Sequence, residues 1–310
     1  MKTKVVVNPY SANGTTAAQW GVKSSLLKQK IGSFDAELTT GPREATLIVQ
    51  KALQNGYERI IGVGGDGTVN EVINGFFQNG KPINPDAVFS FIMTGTGGDF
   101  RKTVGISRNI DEAISQIADG SIKKIDIGKM KYTTFEGSQE HVYFDNIASF
   151  GMSGLVDQIA NTSVVSKFTK KIGGTFAFFV ASFLALLSYK NKTVQLDIDG
   201  KVYKNMTIRV VSMANGQYFG GGMWIAPKAI IDDGLLEIVV LGNLSRFRSV
   251  LLQGKVYKGE HLGVKEVFRL QGKKIIATSN EEVIVEADGE PFGKLPATFE
   301  ILPQIINLKC

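Results

Sequence analysis

The stretch Gly64–Thr68, which reads GGDGT, has the residue types best suited to chemistry in this sequence. Its glycines allow positive φ and let a ligand or another chain segment approach the backbone closely. Apolar residues of the type found in buried strands precede it at Ile60, Ile61 and Val63, and apolar residues at helical spacing follow it. We therefore expect a strand, a tight turn and the start of a helix, whose unpaired N–H groups favour phosphate.

Asp66 is the charged residue of this loop. A carboxylate beside a phosphate is repelled unless a cation lies between them, or unless the carboxylate accepts a proton from the attacking group. A simpler alternative is that Asp66 is the N-cap of the helix and that the glycines only make a turn. The loop by itself leaves all three interpretations open.

The N-terminal part of the sequence alternates apolar runs of strand length with helical patterns. Besides the strand and helix around Gly64–Thr68, we predict strands at Lys4–Asn8, Phe34–Thr40 and Ala87–Met93, and helices at Thr15–Ile31, Arg43–Asn55 and Ile110–Ala118. Strands separated by helices indicate a parallel, doubly wound α/β sheet. In such sheets, ligands bind beyond the carboxyl ends of the strands.

Four polar, glycine-rich loops follow the four predicted strands. They contain Asn8-Pro9, Thr39–Pro42, Gly64–Thr68 and Thr94–Phe100. Turns are generally polar and rich in glycine, so this pattern has an ordinary structural explanation. Because all four loops converge on one edge of the sheet and offer Thr and Asn side chains, we favour a nucleotide site there.

Strand-like runs dominate after about residue 129. We predict strands at Val142–Ala148, Val194–Ile198, Met206–Met213, Leu235–Leu241, Lys274–Ala277 and Val283–Glu286, with helical segments at about 164–188 and 246–257. Turn pairs such as Asp199-Gly200 and Asp288-Gly289 separate the strands. The pattern indicates a β-rich second domain, a sandwich. We place the domain boundary in Lys129–Ser138, a polar stretch without apolar periodicity.

Length and composition exclude several classes of protein. The chain has 310 residues, which suits two domains, and a net charge of +6, which suits anionic partners such as nucleotides or acidic membrane surfaces. The single cysteine, Cys310, excludes a disulfide framework, and the distant His141 and His261 argue against a histidine zinc site. Met1–Lys4 lead directly into the first strand, so we expect no secretory signal and a cytoplasmic protein.

The run Ile172–Tyr189 is uncharged and has lysines on both sides. Its length lies at the lower limit for a helix that crosses a bilayer. Because strands are predicted on both sides of it, we favour a buried helix beside a lipid-accepting cleft over a membrane span.

Taken in order, these loops and several later motifs resemble the bacterial diacylglycerol kinase and lipid kinase family, which is related to the sphingosine kinases. The most specific part is Gly64–Thr68 followed by Asn70-Glu71-Val72. The supporting motifs are Asn8-Pro9, Thr40-Gly41 with Ala45, Gly95-Thr96 with Asp99-Phe100, Asp126-Ile127-Gly128, Asp233-Gly234-Leu235 and Asp288-Gly289-Glu290. NAD kinases share the GGDGT loop, but the order of the later motifs is that of the lipid kinases.

The resemblance implies two domains and a place for the nucleotide. Residues 1–128, joined by 297–310, would form a doubly wound α/β nucleotide-binding domain of the kind shared by NAD kinases and phosphofructokinases. Residues 129–296 would form a C-terminal β-sandwich that takes the lipid substrate. ATP and Mg²⁺ are expected in the cleft between these domains.

The resemblance also implies roles for individual residues. Nucleotide-binding roles fall on Asn8, Thr40, Gly64, Gly65, Asp66, Gly67, Thr68, Glu71, Gly95 and Thr96. The acidic group that positions catalytic Mg²⁺ corresponds to Asp66, Asp126 and Glu290. Asp288 corresponds to the general base for the lipid hydroxyl, with Asp66 as the second catalytic residue. Asp233 and the backbone carbonyl of Leu235 resemble a structural Mg²⁺ site.

Two departures from the family pattern bear on the nucleotide. Gly98 stands where the family usually has Asn before Asp-Phe, so an amide that could bond a nucleotide or phosphate is missing. The loop after Asn8-Pro9 has no Lys or Arg before Lys23, whereas some relatives place basic residues there. Arg101 or Lys102 would then be the cation that meets the phosphates.

The resemblance therefore predicts an ATP- and Mg²⁺-dependent lipid kinase that phosphorylates the hydroxyl of a membrane lipid such as diacylglycerol. Two alternatives are a non-catalytic lipid or nucleotide sensor, which Gly98 suggests, and an NAD kinase. The apolar segments do not name the acceptor lipid. We expect peripheral membrane association, no nucleic-acid partner, and exposed sheet edges that could pair two copies into a homodimer.

Overall fold

The structure, a computed structural model, describes residues 1–95, 97–160 and 188–310. The chain divides into two compact units. The first unit comprises Met1–Asp126 and Gln304–Cys310, and the second comprises Ile127–Pro303. The segment that returns to the first unit is therefore shorter than the expected 297–310.

The first unit alternates strands with helices, as its sequence predicts. Its strands are β1 (Thr3–Val7), β2 (Asp35–Leu38), β3 (Arg59–Gly64), β4 (Phe77–Gln78), β5 (Lys81–Pro82) and β6 (Val88–Met93). Its helices are α1 (Thr15–Ile31), α2 (Glu44–Gln54), α3 (Asp66–Gly75), α4 (Asp99–Val104) and α5 (Ile110–Asp119). Strands β7 (Ile122–Thr134) and β17 (Glu290–Lys309) each run from one unit into the other.

The sheet of the first unit is parallel, in the order β2-β1-β3-β6 followed by the end of β17. Strand β6 is buried along its whole length, and β3 is buried from its second residue on, as a sheet covered on both faces requires. The buried core beside the sheet consists of Val5, Val7, Leu27, Ile61, Val63, Ile92, Ile114 and Ile117. This arrangement brings the carboxyl ends of β1, β3 and β6 to one edge.

The second unit is built mainly from antiparallel strands. After β7 they are β8 (Gln139–Phe144), β9 (Ile147–Gly151), β10 (Lys192–Ile198), β11 (Lys201–Ile208), β12 (Val210–Ala214), β13 (Leu236–Leu241), β14 (Val267–Gly272), β15 (Lys274–Thr278) and β16 (Ile284–Ala287). Among the described residues its helices are α6 (Met152–Ala160) and α7 (Arg246–Lys258), with a 3₁₀ turn at His261–Gly263.

These strands form two layers that share β17. One layer has the strand order β14-β13-β12-β9-β16 and continues into the start of β17. The other layer has the order β11-β10-β15, and β15 pairs with β17 at Ala297–Glu300. One apolar cluster with members on both layers, including Phe150, Leu196, Ile238 and Phe299, fills the space between them. The predicted α/β domain followed by a β-sandwich is confirmed.

Helix α7 covers the outer face of the first of these layers. Its Leu252 and Val256 join Ala214 of β12 and Val239 of β13 in a second buried cluster. The strands β12 and β13 are therefore buried on both faces, which explains their nearly continuous apolar sequence.

The sequence interpretation of Lys129–Ser138 as a polar boundary stretch is wrong. Residues up to Thr134 belong to β7, in which Met130 and Tyr132 are buried and alternate with lysines. Long polar side chains on the exposed face hid this alternation. The division between the units falls a few residues earlier, between Asp126 and Ile127.

Two predicted strands each turn out to be two strands. Val142–Ala148 is broken at 145–146 between β8 and β9, and Met206–Met213 is broken at Arg209 between β11 and β12. The first break is a turn whose N–H groups are used by the candidate site described below. Strands β4, β5, β7 and β14 and helix α4 were not predicted.

The helical segment at 164–188 and most of Ile172–Tyr189 lie outside the described residues. Within residues 1–95, 97–160 and 188–310, no helix is long and apolar enough to cross a membrane.

His261 is a fully buried histidine in the second unit. Its Nε2 lies 2.8 Å from the carbonyl oxygen of Ile225, to which it donates, and its buried Nδ1 has no hydrogen-bond partner among the described residues. Burial lowers the pKa of His261, and the hydrogen bond to Ile225 opposes this only in part. The folded protein therefore holds His261 neutral.

We predict that His261 makes the protein less stable in mild acid. The folded-state pKa is depressed, so its contribution to stability is complete above the unfolded pKa of about 6.5 and is lost as pH falls toward the folded pKa. Urea unfolding should show a loss of up to about 1 kcal/mol from pH 7.5 to 5.5 that His261→Gln largely removes. Burial and Lys129 also lower the pKa of the exposed His141, so His141→Gln should remove part of the loss as well, and the loss is compared among wild type and the two single variants. Equal pH profiles for wild type and His261→Gln would contradict the prediction.

Candidate functional site

The stretch around Gly64–Thr68 forms the end of strand β3, a turn and the start of helix α3, as predicted. Gly65 is the N-cap of α3, and its carbonyl accepts the N–H groups of Thr68 and Val69 at 3.0 and 3.1 Å. Asp66 is therefore the first residue of the helix and not its N-cap, so that alternative is wrong. Its carboxylate is available for contacts outside its own helix.

The Asp66 carboxylate binds the backbone at the start of α4. Oδ2 accepts the N–H of Gly98 at 2.7 Å, and Oδ1 accepts the N–H of Asp99 at 3.1 Å. Burial raises the pKa of Asp66, and the Gly98 hydrogen bond opposes that rise. The carboxylate thus ties the β3–α3 turn to the β6–α4 loop at the carboxyl ends of two neighbouring strands.

The same two loops touch through glycines. A Cβ added to Gly95 would lie 2.8 Å from Cα of Gly65, and one added to Gly97 would lie 2.5 Å from Oδ2 of Asp66. Larger residues would push the loops apart and disturb the Asp66 contacts. Thr96, the other residue predicted here, lies outside the described residues.

Asn8 joins the first loop to the β3–α3 turn. Its Nδ2 donates to Oγ1 of the buried Thr68 at 3.0 Å. The loop after Asn8 is also held by hydroxyl groups of Ser11, Thr16 and Thr94, which lie 2.7 to 2.9 Å from one another. The helical pattern gave no sign that Thr16 takes part, because its role depends on a strand far away in sequence.

Two glutamates organise the second loop. Glu44 accepts hydrogen bonds from the backbone N–H and, at 2.8 Å, from the hydroxyl of the exposed Thr40. The two oxygens of Glu71 accept the N–H groups of Arg43 at 2.9 Å and Ala45 at 3.2 Å. Glu71 therefore joins α3 to the N-terminus of α2, which is a positioning contact.

Asp126 is a fully buried carboxylate in the first unit. Its Oδ1 accepts the N–H of Gln304 at 2.7 Å, so it holds the returning C-terminal segment. The suggested phosphate cations have other partners: Arg101 donates to the carbonyl of Ile106 at 2.8 Å, and Lys102 lies 3.1 Å from the carboxylate of Asp99.

In the second unit, Asp288 lies in the two-residue turn between β16 and β17. Asp288 and Gly289 both have positive φ, 49° and 84°, as a tight hairpin of this kind requires. The Asp288 carboxylate accepts three backbone N–H groups from the β8–β9 turn: those of Asp145, Asn146 and Ile147, at 3.1, 3.2 and 2.9 Å. The residue at the tip of this hairpin therefore also presents a carboxylate that is held in one orientation.

Two glutamates flank this turn. Glu290 is exposed and pairs across the hairpin with Ala287. Glu286 is buried and accepts hydrogen bonds from the Ser149 hydroxyl and, at 3.2 Å, from the N–H of Gly289. No sequence signal pointed to Glu286, because it reads as one more residue of a strand.

The predicted metal ligands lie in both units. Asp66 and Asp126 belong to the first unit, and Glu290 and the exposed Asp233 belong to the second. Asp233 accepts the N–H of Leu235 at 3.0 Å, which makes a local turn. Within the part of the chain that the structure describes, no three His, Cys, Asp or Glu side chains cluster as metal ligands. The metal assignments stay predictions.

Each half of the chain matches a known family of protein domains. Residues 2–130 match the diacylglycerol kinase catalytic domain. Residues 146–310 match the YegS C-terminal NAD kinase beta sandwich-like domain. The two matches fall in the α/β and β-sandwich parts of the structure.

Individual proteins are similar over almost the whole chain. Diacylglycerol kinases from Staphylococcus carnosus and Staphylococcus epidermidis are each 28% identical over 312 residues, which cover 99% of this chain and 94% and 91% of theirs. The crystal structure of a diacylglycerol kinase from Bacillus anthracis superposes with a TM-score of 0.73 at 23% sequence identity. The aligned residues cover 99% of this chain and 96% of the Bacillus anthracis chain. That structural similarity concerns the fold.

We predict that the β3–α3 turn tolerates a side chain at Gly67 but not at Gly64. A Cβ on Gly64 would lie 2.3 Å from Oγ1 of Thr68, whereas one on Gly67 would meet nothing within 4 Å. Gly64→Ala should lower the free energy of unfolding by at least about 2 kcal/mol. Gly67→Ala should change it by less than about 1 kcal/mol, since alanine suits a helix. Urea unfolding tests both, and equal stabilities would contradict the packing described here.

Proposed function

Because this chain belongs to the bacterial diacylglycerol kinase and lipid kinase family and is a lipid kinase, we propose that it transfers the γ-phosphate of ATP to the hydroxyl of a membrane lipid such as diacylglycerol, with Mg²⁺. The observation that carries this proposal is the Asp66 carboxylate, held by Gly98 and Asp99 where two glycine loops meet. The proposal assigns ATP to the first unit and the lipid to the second.

The first unit supports the donor half of the reaction. Backbone N–H groups at the start of α3 and the close glycine backbones of Gly65 and Gly95 suit a polyphosphate. Asn8 and Thr68 fix the loop beside them. We assign nucleotide contacts to these residues, to Gly64, Asp66 and Gly67 of the same turn, and to Thr40, while Glu71 positions the loop of Thr40.

The donor atoms available fit Mg²⁺. Mg²⁺ prefers oxygen ligands and keeps several waters, so a few carboxylates are enough. The Asp66 carboxylate accepts the N–H groups of Gly98, Asp99 and Asp66 itself, and its two oxygens offer about four lone-pair positions, so one remains for a cation. We assign Asp66, Asp126 and Glu290 to the catalytic ion, which when bound would offset the negative charge of the phosphates.

The second unit supports the acceptor half. We assign Asp288 as the base that takes the proton of the lipid hydroxyl while the hydroxyl oxygen attacks the γ-phosphorus and ADP leaves. A general base must first be held in the correct geometry relative to the hydroxyl that it deprotonates. Three backbone N–H groups hold the carboxylate of Asp288 in one orientation. Glu286 supports the same turn from inside the sheet. We also assign Asp233 and the Leu235 carbonyl to a structural Mg²⁺.

Gly98 does not favour a non-catalytic sensor. Its contribution to the site is its backbone N–H, which binds Asp66, and asparagine would supply the same group. The missing amide side chain therefore bears on nucleotide preference and leaves the Asp66 contact intact. Peripheral attachment to the cytoplasmic face of a membrane and pairing of two copies belong to the same proposal and are open to test.

We predict that Asp288→Asn lowers kcat by at least about 100-fold with KM for ATP changed less than about threefold, because a general base is lost and the nucleotide side is untouched. Asp199→Asn is a matched control. Asp199 also precedes a glycine in a hairpin turn with positive φ, and it accepts the N–H groups of Lys273 and Lys274 at 2.9 Å. The control should keep kcat within about twofold, since it shares the structural role only. Wild-type kcat in Asp288→Asn would remove Asp288 from the chemistry.

We predict that label from [γ-³²P]ATP enters diacylglycerol in mixed micelles, that chelation of Mg²⁺ stops the transfer, and that NAD takes up no label. Phosphoryl transfer from ATP needs a cation to offset the phosphate charge, which is the reason for the Mg²⁺ requirement. Transfer to NAD would favour the NAD kinase alternative. Proven ATP binding without transfer to any lipid of a broad panel would favour the sensor.

A further inference from the structure

Helix α7 has an outward face that is apolar, although exposed helix faces are usually polar. Phe247, Val250 and Leu251 are 71%, 48% and 61% exposed. Together with Gly254 they follow the spacing i, i+3, i+4, i+7, which places them on one side of the helix. A Cβ added to Gly254 would meet nothing within 4 Å, so this side is open.

The outward apolar residues are not needed to hold the helix on the protein. The opposite side of α7 already packs through Leu252 and Val256 into a buried cluster, and Ser249 is buried with them. The helix also has its own N-cap, Ser245, whose hydroxyl accepts the N–H of Arg248 at 3.3 Å. The second apolar stripe therefore has no structural role within the described chain.

Basic residues border the outward stripe. The helix contains Arg246, Arg248, Lys255 and Lys258, all exposed, and no acidic residue. Arg248 forms an ion pair with Glu266, while exposed Glu260 follows the helix. The outward side thus combines large apolar groups with an excess of positive charge.

We propose that this surface, formed by Phe247, Val250, Leu251 and Gly254 with Arg246, Lys255 and Lys258 beside them, docks the enzyme on an anionic lipid bilayer. We call it the α7 surface. An interfacial helix lies in the plane of the membrane with apolar side chains among the acyl chains and basic side chains at the head groups. Anionic head groups supply the complementary charge. The inference rests on the proposed function in one respect: the lipid substrate lies in a bilayer.

The charges also argue against a second copy of the chain as the occupant. In a two-fold interface the same surface would meet itself, and the basic residues of both copies would be brought together. The helix has no acidic residue to offset them. A bilayer rich in anionic lipid meets the same surface without that repulsion.

Co-sedimentation with vesicles tests the proposal. Wild type should bind phosphatidylglycerol vesicles and bind phosphatidylcholine vesicles much more weakly. Phe247→Ser/Leu251→Ser should reduce the partition onto phosphatidylglycerol vesicles by about tenfold or more, because two large apolar anchors are lost. Val22→Ser/Leu47→Ser, at residues 69% and 63% exposed in the first unit, is the matched control and should keep wild-type partition.

A charge variant tests the contribution of the basic residues of the α7 surface. Arg246→Gln/Lys255→Gln/Lys258→Gln should remove most of the preference for phosphatidylglycerol. Lys28→Gln/Lys30→Gln/Lys51→Gln, which removes three exposed charges from the first unit, should leave that preference unchanged. Equal losses in the two triple variants would mean that net charge and not the α7 surface attracts the membrane, and would overturn the proposal.

Two further measurements distinguish a bilayer from any different occupant of the α7 surface. Urea unfolding should give the same midpoint for Phe247→Ser/Leu251→Ser and wild type, and a lower midpoint would mean that the chain itself covers the surface. Sedimentation velocity should give the same oligomeric state, and a dimer that only this variant dissociates would make the surface a subunit interface.

Transfer of phosphate to a short-chain, monomeric diacylglycerol should be unchanged in the variant. If wild type phosphorylates no lipid yet binds vesicles through this surface, the proposed function fails and the docking surface stands.

Discussion

The hydrogen bonds of Asp66 to the N–H groups of Gly98 and Asp99 hold the first unit's site together. They require an ionisable group to be buried, which raises its pKa and costs stability unless partners offset the charge. They also require two loops to approach through glycine backbones. The carboxylate joins the two loops, and we propose that it also binds a cation beside the phosphates.

The second unit also contains a carboxylate that backbone N–H groups of another loop orient, in this case in a hairpin turn. Asp288 occupies a strained position with positive φ, and its carboxylate is fixed by three N–H groups from another turn. In both units, therefore, a carboxylate of a short turn is oriented by the backbone of a second loop. Backbone donors are well suited to this task because they move little once the strands on either side are paired. Phosphoryl transfer depends on positioning more than on covalent chemistry, and both turns supply positioning.

The sequence predicted the parts of the site that depend on local pattern. The strand, turn and helix around Gly64–Thr68 follow from glycines between apolar runs, and the two-domain fold follows from the change from helical to strand spacing. The partners of Asp66 and Asp288 could not be predicted, because any residue offers a backbone N–H and the pairing is tertiary. The error at Lys129–Ser138 has a physical cause as well: lysines on the exposed face of β7 conceal a buried face that includes Met130.

If Asp66 positions the catalytic ion, it must couple the binding of ATP to the binding of Mg²⁺, and titration calorimetry measures this coupling. ATP affinity would be measured with and without Mg²⁺ in wild type and in Asp66→Asn, which keeps the size of the side chain and removes its charge. We expect Mg²⁺ to strengthen ATP binding to wild type by about tenfold or more and to change binding to Asp66→Asn by less than about threefold. An equal gain from Mg²⁺ in both proteins would contradict the assignment of Asp66 to the ion.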